Sequence, residues 1–274
     1  VAILTGSPDI GGSRASMALM ASEVLGIPFE HIHPQVAATD AVGHTDLTGG
    51  SRTTLATGQA VIQAAEQCVV ELCRRAAAEW EVEPGVVTWS QGAAHYGDQS
   101  LTFEELASRA GAMGGPLTFS SSLTSTSAAP GFGVHICDAE VDKETGRTTI
   151  TRYTAIQDAG KAIHPDYVEG QMQGGVVQGI GWALNEEYIF DDSGVLENAG
   201  FLDYRIPVAS ALPMIDTEIV EVANPSHPFG VRGVGETPIV APLAVCSNAV
   251  SRSLNMRITE LPMSPPRLLD AIEG

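Results

Sequence analysis

Apolar positions along the chain alternate between short continuous runs and longer stripes at helical spacing. Val1–Thr5 is a run that predicts a buried strand, ending in the turn Gly6-Ser7-Pro8-Asp9-Ile10-Gly11-Gly12-Ser13. Arg14–Leu25 carries Ala, Met and Leu at helical spacing and stops at Gly26 with Pro28 beyond, a C-terminal signal. Ile32–Ala37 predicts a short strand and Thr39–Thr54 a polar loop. Leu55–Trp80 predicts a long amphipathic helix, with Ile62, Ala65, Val69, Leu72 and Ala76 on its apolar side.

Further on, Val86–Trp89 reads as a strand, and Thr102–Ala110 as a helix opened by a Thr102/Glu105 capping box. Gly114–Gly131 has no periodicity and predicts a linker or binding loop. Gly133–Val141 and Arg147–Ile156 predict a hairpin around Asp142–Gly146. Val168–Glu187 keeps a helical pattern despite Gly174, Gly175, Gly179 and Gly181, each costing about 1 kcal/mol against alanine. Asp216–Val222 predicts a strand, Gly230–Pro238 a glycine turn, Ile239–Leu254 an apolar helix, and the remainder a Pro-rich tail. The expected fold is α+β, with mixed sheets and helices in two interleaved lobes, 1–132 and 133–274.

Charge narrows the function. The 274 residues carry 14 Lys and Arg against 33 Asp and Glu, a net charge of −19. Nucleic acid and anionic membrane surfaces are therefore not expected partners, because both demand clustered cations. No apolar run reaches the ~20 residues of a spanning helix, and no signal peptide is expected at Val1. The 44% apolar fraction with 17% charged residues suits a globular chain. Cys68, Cys73, Cys137 and Cys246 lie in no C-x-x-C pair, which argues against a zinc ribbon or iron–sulfur cluster and for reduced thiols in the cytoplasm.

The chemistry lies in glycine turns that feed helices. Gly6–Ser13 has the outline of a phosphate loop, but Gly12 stands where the lysine would be, so nucleotide hydrolysis is disfavoured. Backbone N–H groups at Gly11, Gly12 and Ser13 remain suited to a phosphate or a polar ring edge. Thr48–Thr54 adds hydroxyls and the Arg52 guanidinium on a glycine-rich turn, a set suited to a polar phosphate-bearing ligand and equally to a capping loop. Gln171, Gly174, Gly175 and Gln178 would form a polar, side-chain-poor stripe on one helix face, against which a flat ligand could lie. Glu236, between Gly233-Val234-Gly235 and Thr237-Pro238, is a carboxylate that apolar neighbours would desolvate, raising its pKa toward that of a general base; otherwise it complements a helix N-terminus. His31 and His33 would share a strand face without a third metal ligand.

Taken in order, these segments resemble the xanthine dehydrogenase/aldehyde oxidase family of molybdenum hydroxylases, in the C-terminal half of the molybdopterin-binding large subunit. The resemblance rests on Gly6–Gly11, Thr48–Arg52 with Gly58-Gln59-Ala60-Val61, Gln157-Asp158-Ala159-Gly160, Gly170–Glu187, Gly233–Glu236 and Ile258-Thr259-Glu260-Leu261-Pro262. It implies a molybdenum–pterin cofactor at the interface of the lobes, in bacteria often the cytosine dinucleotide form. Gly11, Gly12, Ser13, Gly50, Ser51, Arg52, Thr53, Gln171, Gly233 and Gly235 would contact that cofactor, and no protein side chain would ligate the metal directly. Glu236 would be the base that deprotonates the Mo–OH group, with water as oxygen source and hydride passing to the Mo=S sulfur. The family's first loop commonly reads Gly-Gln-Gly; Gly11-Gly12-Ser13 here loses the glutamine contact and implies a roomier pocket.

The resemblance also implies partners. Family large subunits are longer, so the other half of the large subunit, iron–sulfur (2Fe-2S) and flavin (FAD) subunits and a small-molecule substrate are expected. The chain itself would be a split subunit, a processed chain or a fragment. The expected activity is hydroxylation of an N-heterocycle or an aldehyde. The alternatives are an aldehyde oxidoreductase subunit and a non-catalytic molybdopterin-binding or assembly subunit.

Overall fold

The computed structural model describes residues 1–123 and 128–274; part of the loop expected over 114–131 thus lies outside the described residues. The chain forms two compact units. The first is Val1–Ala128 with Pro225–Pro228, and the second is Ala129–Asn224 with Phe229–Gly274. Helices and sheets occur in both, the expected α+β class; the first unit has one parallel and one antiparallel sheet, the second a mixed one.

In the first unit, β1 (Ala2–Thr5) leads through the glycine turn into α1 (Ser13–Leu25), and β2 (His33–Val36) returns parallel to β1. Helix α1 ends at Gly26 as expected. Its Met17, Ala18 and Ala21 bury against Ile3, Ile32 and Val61. The long helix α2 (Gly58–Glu79) begins later than its pattern suggests, because Thr53–Thr57 forms a π-helical turn first. Gly58 makes room there: a Cβ would lie 2.6 Å from the Met20 sulfur. A second core, around Leu72, Ala76, Val87, Ala94, Leu101 and Leu106, packs α2 on a small antiparallel sheet.

That sheet contains β3 (Thr88–Ser90), β4 (Ala93–Tyr96) and β5 (Gln99–Thr102). Only the first is foreseen from the pattern. The other two are four residues each, joined by the tight turns Gln91-Gly92 and Gly97-Asp98, too short for alternation to stand out. Helix α3 (Phe103–Ser108) opens with both halves of the expected Thr102/Glu105 capping box. His31 belongs to a 3₁₀ turn and His33 to β2, so they do not share a strand face.

In the second unit, the hairpin β6 (Phe132–Val141) and β7 (Thr148–Asp158) is joined by β8 (Ile215–Val220), parallel to β7. Helices α4 (Pro165–Leu184) and α5 (Thr237–Leu254) cover one face of this sheet. Tyr153, Met172, Val176, Ile180, Cys246 and Val250 form the core between them. The expected tail is partly helical. Pro265–Glu273 forms α6, since prolines in a first turn forfeit only N–H groups without an intrahelical acceptor, and Leu268 inserts into the core.

Candidate functional site

The turn Gly6–Ser13 and the segment Thr45–Thr57 are neighbours in the first unit. The Ser7 hydroxyl lies 2.8 Å from that of Thr57, and a Cβ on Gly6 would meet the Thr45 hydroxyl at 2.5 Å. Gly11 and Gly12 both take left-handed conformations, and Gly12 caps α1 at φ 72°. The amides beyond them are committed: Ser13 N–H donates to Ile10 O (3.1 Å), Arg14 N–H to Asp9 Oδ1 (3.0 Å) and Ala15 N–H to Gly12 O (3.1 Å). Asp9, also paired with the Arg14 guanidinium at 2.7 Å, thus supplies an internal anion for this helix start. Ser13 is buried, Gly12 half-buried, and Gly11 is exposed together with Pro8, Asp9 and Ile10 before it.

Gly50 and Ser51 follow each other at φ 64° and 56°, a conformation unusual for serine. Gly50 has open space where a Cβ would lie. Arg52 donates to Asp46 at 2.5 Å and stays partly exposed, while the Thr53 hydroxyl is buried beside Thr48 at 3.5 Å. Backbone N–H groups, hydroxyls and a guanidinium are therefore gathered on one accessible stretch.

In the second unit, the segment Phe229–Glu236 is braced along its length. Gly230 O accepts from Lys161 N–H and Asn224 N–H, both at 2.9 Å, and the Asn224 side chain donates to Val231 O at 3.0 Å. Asp158 is the hub. Its Oδ1 accepts from Gly160 N–H (2.9 Å) and Val222 N–H (3.0 Å), and its Oδ2 pairs with Arg232 Nε at 3.2 Å, both side chains being nearly buried. Arg232 also donates to Val222 O at 2.9 Å and Pro130 O at 3.1 Å. Finally Gln157, 1% exposed, donates its Nε2 proton to Val234 O at 3.1 Å, while its Oε1 has no partner among the described residues.

This brace carries Glu236 to the start of α5, where a carboxylate complements the helix dipole. The expected desolvation is not present in this chain: Glu236 is exposed and Val240 is 72% exposed. Pro238 turns instead into the interior against α4. The bracing residues Gln157, Asp158, Asn224 and Arg232 were not assigned roles from sequence. Gln157 and Asp158 stand in a motif of the resemblance, but the long-range partners Val222 and Val234 are 64 and 77 residues away.

The glycines of α4 divide into two kinds, which corrects the expected stripe. A Cβ on Gly175 would lie 2.6 Å from the Pro238 ring, and one on Gly179 would lie 2.7 Å from Pro242 and 2.9 Å from Ile239 O. These two serve close packing of α4 on α5, whereas Gly181 makes room for Glu186 and the Pro207 ring. Gly170 and Gly174 face open space, with Gln171 and Gln178 reaching the surface beside them. Gly175, one turn from the half-buried Gln171 and from the exposed Gln178, is thus covered by Pro238 and drops out of the accessible stripe. Among the described residues, no group of three His, Cys, Asp or Glu could hold a metal ion, and no helix is long and apolar enough to cross a membrane.

Comparison with known proteins says to which class of protein these turns and this braced loop belong. Residues 1–213 match the model of the molybdopterin cofactor-binding domain. The chain is 31% identical, over 96% of its length and 34% of the relative's, to the nicotine 6-hydroxylase large subunit of Paenarthrobacter nicotinovorans. It is 39% identical over 57% of its length, and 21% of the relative's, to the xanthine dehydrogenase molybdenum-binding subunit of Escherichia coli O157:H7. Among solved structures, the Cu,Mo-CO dehydrogenase matches 99% of the chain, and 36% of its own, with a TM-score of 0.90 at 27% identity. The chain belongs to the xanthine dehydrogenase family of molybdenum hydroxylases, in its molybdopterin-binding large subunit. It spans between about a fifth and a little over a third of the length of these three.

Proposed function

We propose that this chain is the part of a molybdenum hydroxylase that holds the pterin cofactor and supplies the catalytic base, for oxidation of an N-heterocycle or an aldehyde with water as oxygen source. The observation that carries this reading is the braced loop that presents Glu236 at the start of α5, in a chain of the molybdopterin-binding family.

The residues fit such a cofactor by their donor chemistry. Gly11, Gly12, Gly50, Ser51 and Arg52 offer backbone N–H groups, a hydroxyl and a guanidinium for phosphate oxygens, in a stretch where Gly50 leaves space. Ser13 and Thr53, both buried, shape these turns from beneath. Gln171 can both donate and accept toward a pterin edge, and Gly233 and Gly235 keep side chains away from the loop carrying Glu236. The cofactor, when bound, supplies the two-electron chemistry. Glu236 takes up at its carboxylate the proton released as water oxygen is made nucleophilic. The brace around Asp158 and Gln157 holds the loop so that little reorganisation is needed when the proton moves.

The same reading assigns the cytosine dinucleotide form of the cofactor, and places 2Fe-2S and FAD groups on partner chains that carry electrons away. The rest of the large subunit would complete the pocket. A reducing cytoplasmic setting suits the four free thiols.

The test is Glu236→Gln in the complete enzyme, assayed with aldehydes and N-heterocycles and an artificial electron acceptor. Turnover is expected to fall at least ~100-fold with molybdenum content unchanged. Full-rate turnover by this variant would remove Glu236 as the base. A molybdenum-loaded wild-type enzyme inactive on both substrate classes would favour a non-catalytic carrier.

A further inference from the structure

The small parallel sheet of the first unit is incomplete, and its two edges are not equivalent. In the register Ala2↔His33 to Thr5↔Val36, with His33 N–H bonded to Val1 O and Ala37 N–H to Thr5 O, the odd residues of both strands face each other. The N–H and C=O groups of Ala2 and Leu4 therefore point away from β2, and those at positions 34 and 36 point away from β1. On the β2 side, residue 34 is proline: it has no N–H to give, and a proline blunts an edge against further pairing. On the β1 side both outward residues keep their N–H groups, which find no partner among the described residues.

The faces are equally unequal. Ile3 lies under α1, whereas Leu4 on the opposite face is 54% exposed, and Ala2, His33 and Gln35 beside it are exposed too. Parallel pairs are ordinarily found inside larger sheets with both faces covered, since two strands alone bury too little to hold together in water. We propose that an extended strand from the part of the large subunit outside this chain pairs along the free edge of β1. This rests on the reading above that the chain works within a larger molybdenum subunit.

Two observations favour that occupant over a second copy of the chain. About two thirds of the length of the best-covered relatives lies outside the matched region, so a tethered strand is available at high effective concentration. A second copy would bring another net charge of −19 against the first. The added strand accepts from Leu4 N–H and donates to the carbonyls of Ala2 and Leu4, and its residue beside Leu4 is apolar.

The test is residue-resolved amide hydrogen exchange on the complete molybdenum-loaded enzyme. The Leu4 amide is expected to be protected to within about tenfold of Ile3 and Thr5, while Val36, outward on the proline edge, exchanges as an open amide. Leu4 exchanging as fast as Val36, or Val36 protected and Leu4 not, overturns the proposal. Glu236→Gln in the same preparation separates the two readings. An inactive variant with a fast Leu4 amide removes only the added strand; a fully active one removes the proposed base whatever Leu4 shows.

Discussion

At the scale of single residues, the site depends on side chains that act on backbone. Gln157 is the clearest case, because its amide is buried with one bond made and one acceptor left over. Gln157→Met removes the donor to Val234 O but also the unpartnered oxygen. Gln157→Glu keeps the volume and places acceptors where a donor is needed, with burial penalising the charge. The glutamate variant is therefore expected to be the less stable of the two, by about 1–3 kcal/mol in denaturant unfolding at neutral pH. Equal stabilities would show that the loop does not depend on this bond. A second residue-scale prediction concerns Glu71. Its hydrogen bonds from Arg74, then from the buried Arg75, hold its carboxyl down to about 2 from an ordinary 4.5. A depressed folded-state pKa gives stability that is present above the unfolded value and lost as pH falls through the folded one. Glu71→Gln should accordingly melt below wild type at pH 7, the gap closing between about pH 4.5 and 2. A gap independent of pH would deny the ion pair its role.

At the scale of elements, α4 shows how one residue type serves opposite purposes along one helix. Gly174→Ala enters open space, so the gain in helix propensity stands alone and the chain should be stabilised by about 0.5–1 kcal/mol. Gly179→Ala meets Pro242 and the Ile239 carbonyl of α5, and overpacking of about 1–3 kcal/mol should outweigh the same gain. Thermal melts of the two variants should shift in opposite directions. If both stabilise, α4 and α5 are less closely packed than described. Molybdenum content adds a reading on Gly174: a loss of metal without loss of stability would place the Gln171–Gln178 side of α4 against the cofactor. Most elements were legible from periodicity, because α1, α2, α4, α5 and the β6–β7 hairpin are long enough for their spacing to repeat. The strands β4 and β5 and the helix α6 were not. The strands are too short, and prolines that open a helix look in sequence like prolines that prevent one.

At the scale of the whole molecule, charge and exposed apolar surface pull against each other. Phe201, Leu202 and Met214 are at least 82% exposed in a chain whose net charge of −19 opposes self-association. Added salt screens the repulsion but leaves the apolar attraction. Sedimentation of the chain by itself should show association growing with salt, and Phe201→Ser with Leu202→Ser should reduce it while changing stability by less than about 0.5 kcal/mol. Association that is unaffected by the double substitution would place the sticky surface elsewhere.

The amino-acid order alone determined the class of the fold and the positions of the glycine turns, and the family motif in it singled out Glu236 as the candidate carboxylate. Each of those is a local matter of spacing, turn chemistry or motif. Only the tertiary structure decided what holds that carboxylate in place, which glycines are there for packing, and that Glu236 is exposed rather than desolvated. Those properties depend on Gln157, Asp158, Asn224 and Arg232 meeting across tens of residues, and on Pro238 and Pro242 seating into α4. Contacts between segments so far apart leave no period in the chain, because backbone geometry repeats locally while packing partners are chosen only when the segments fold together.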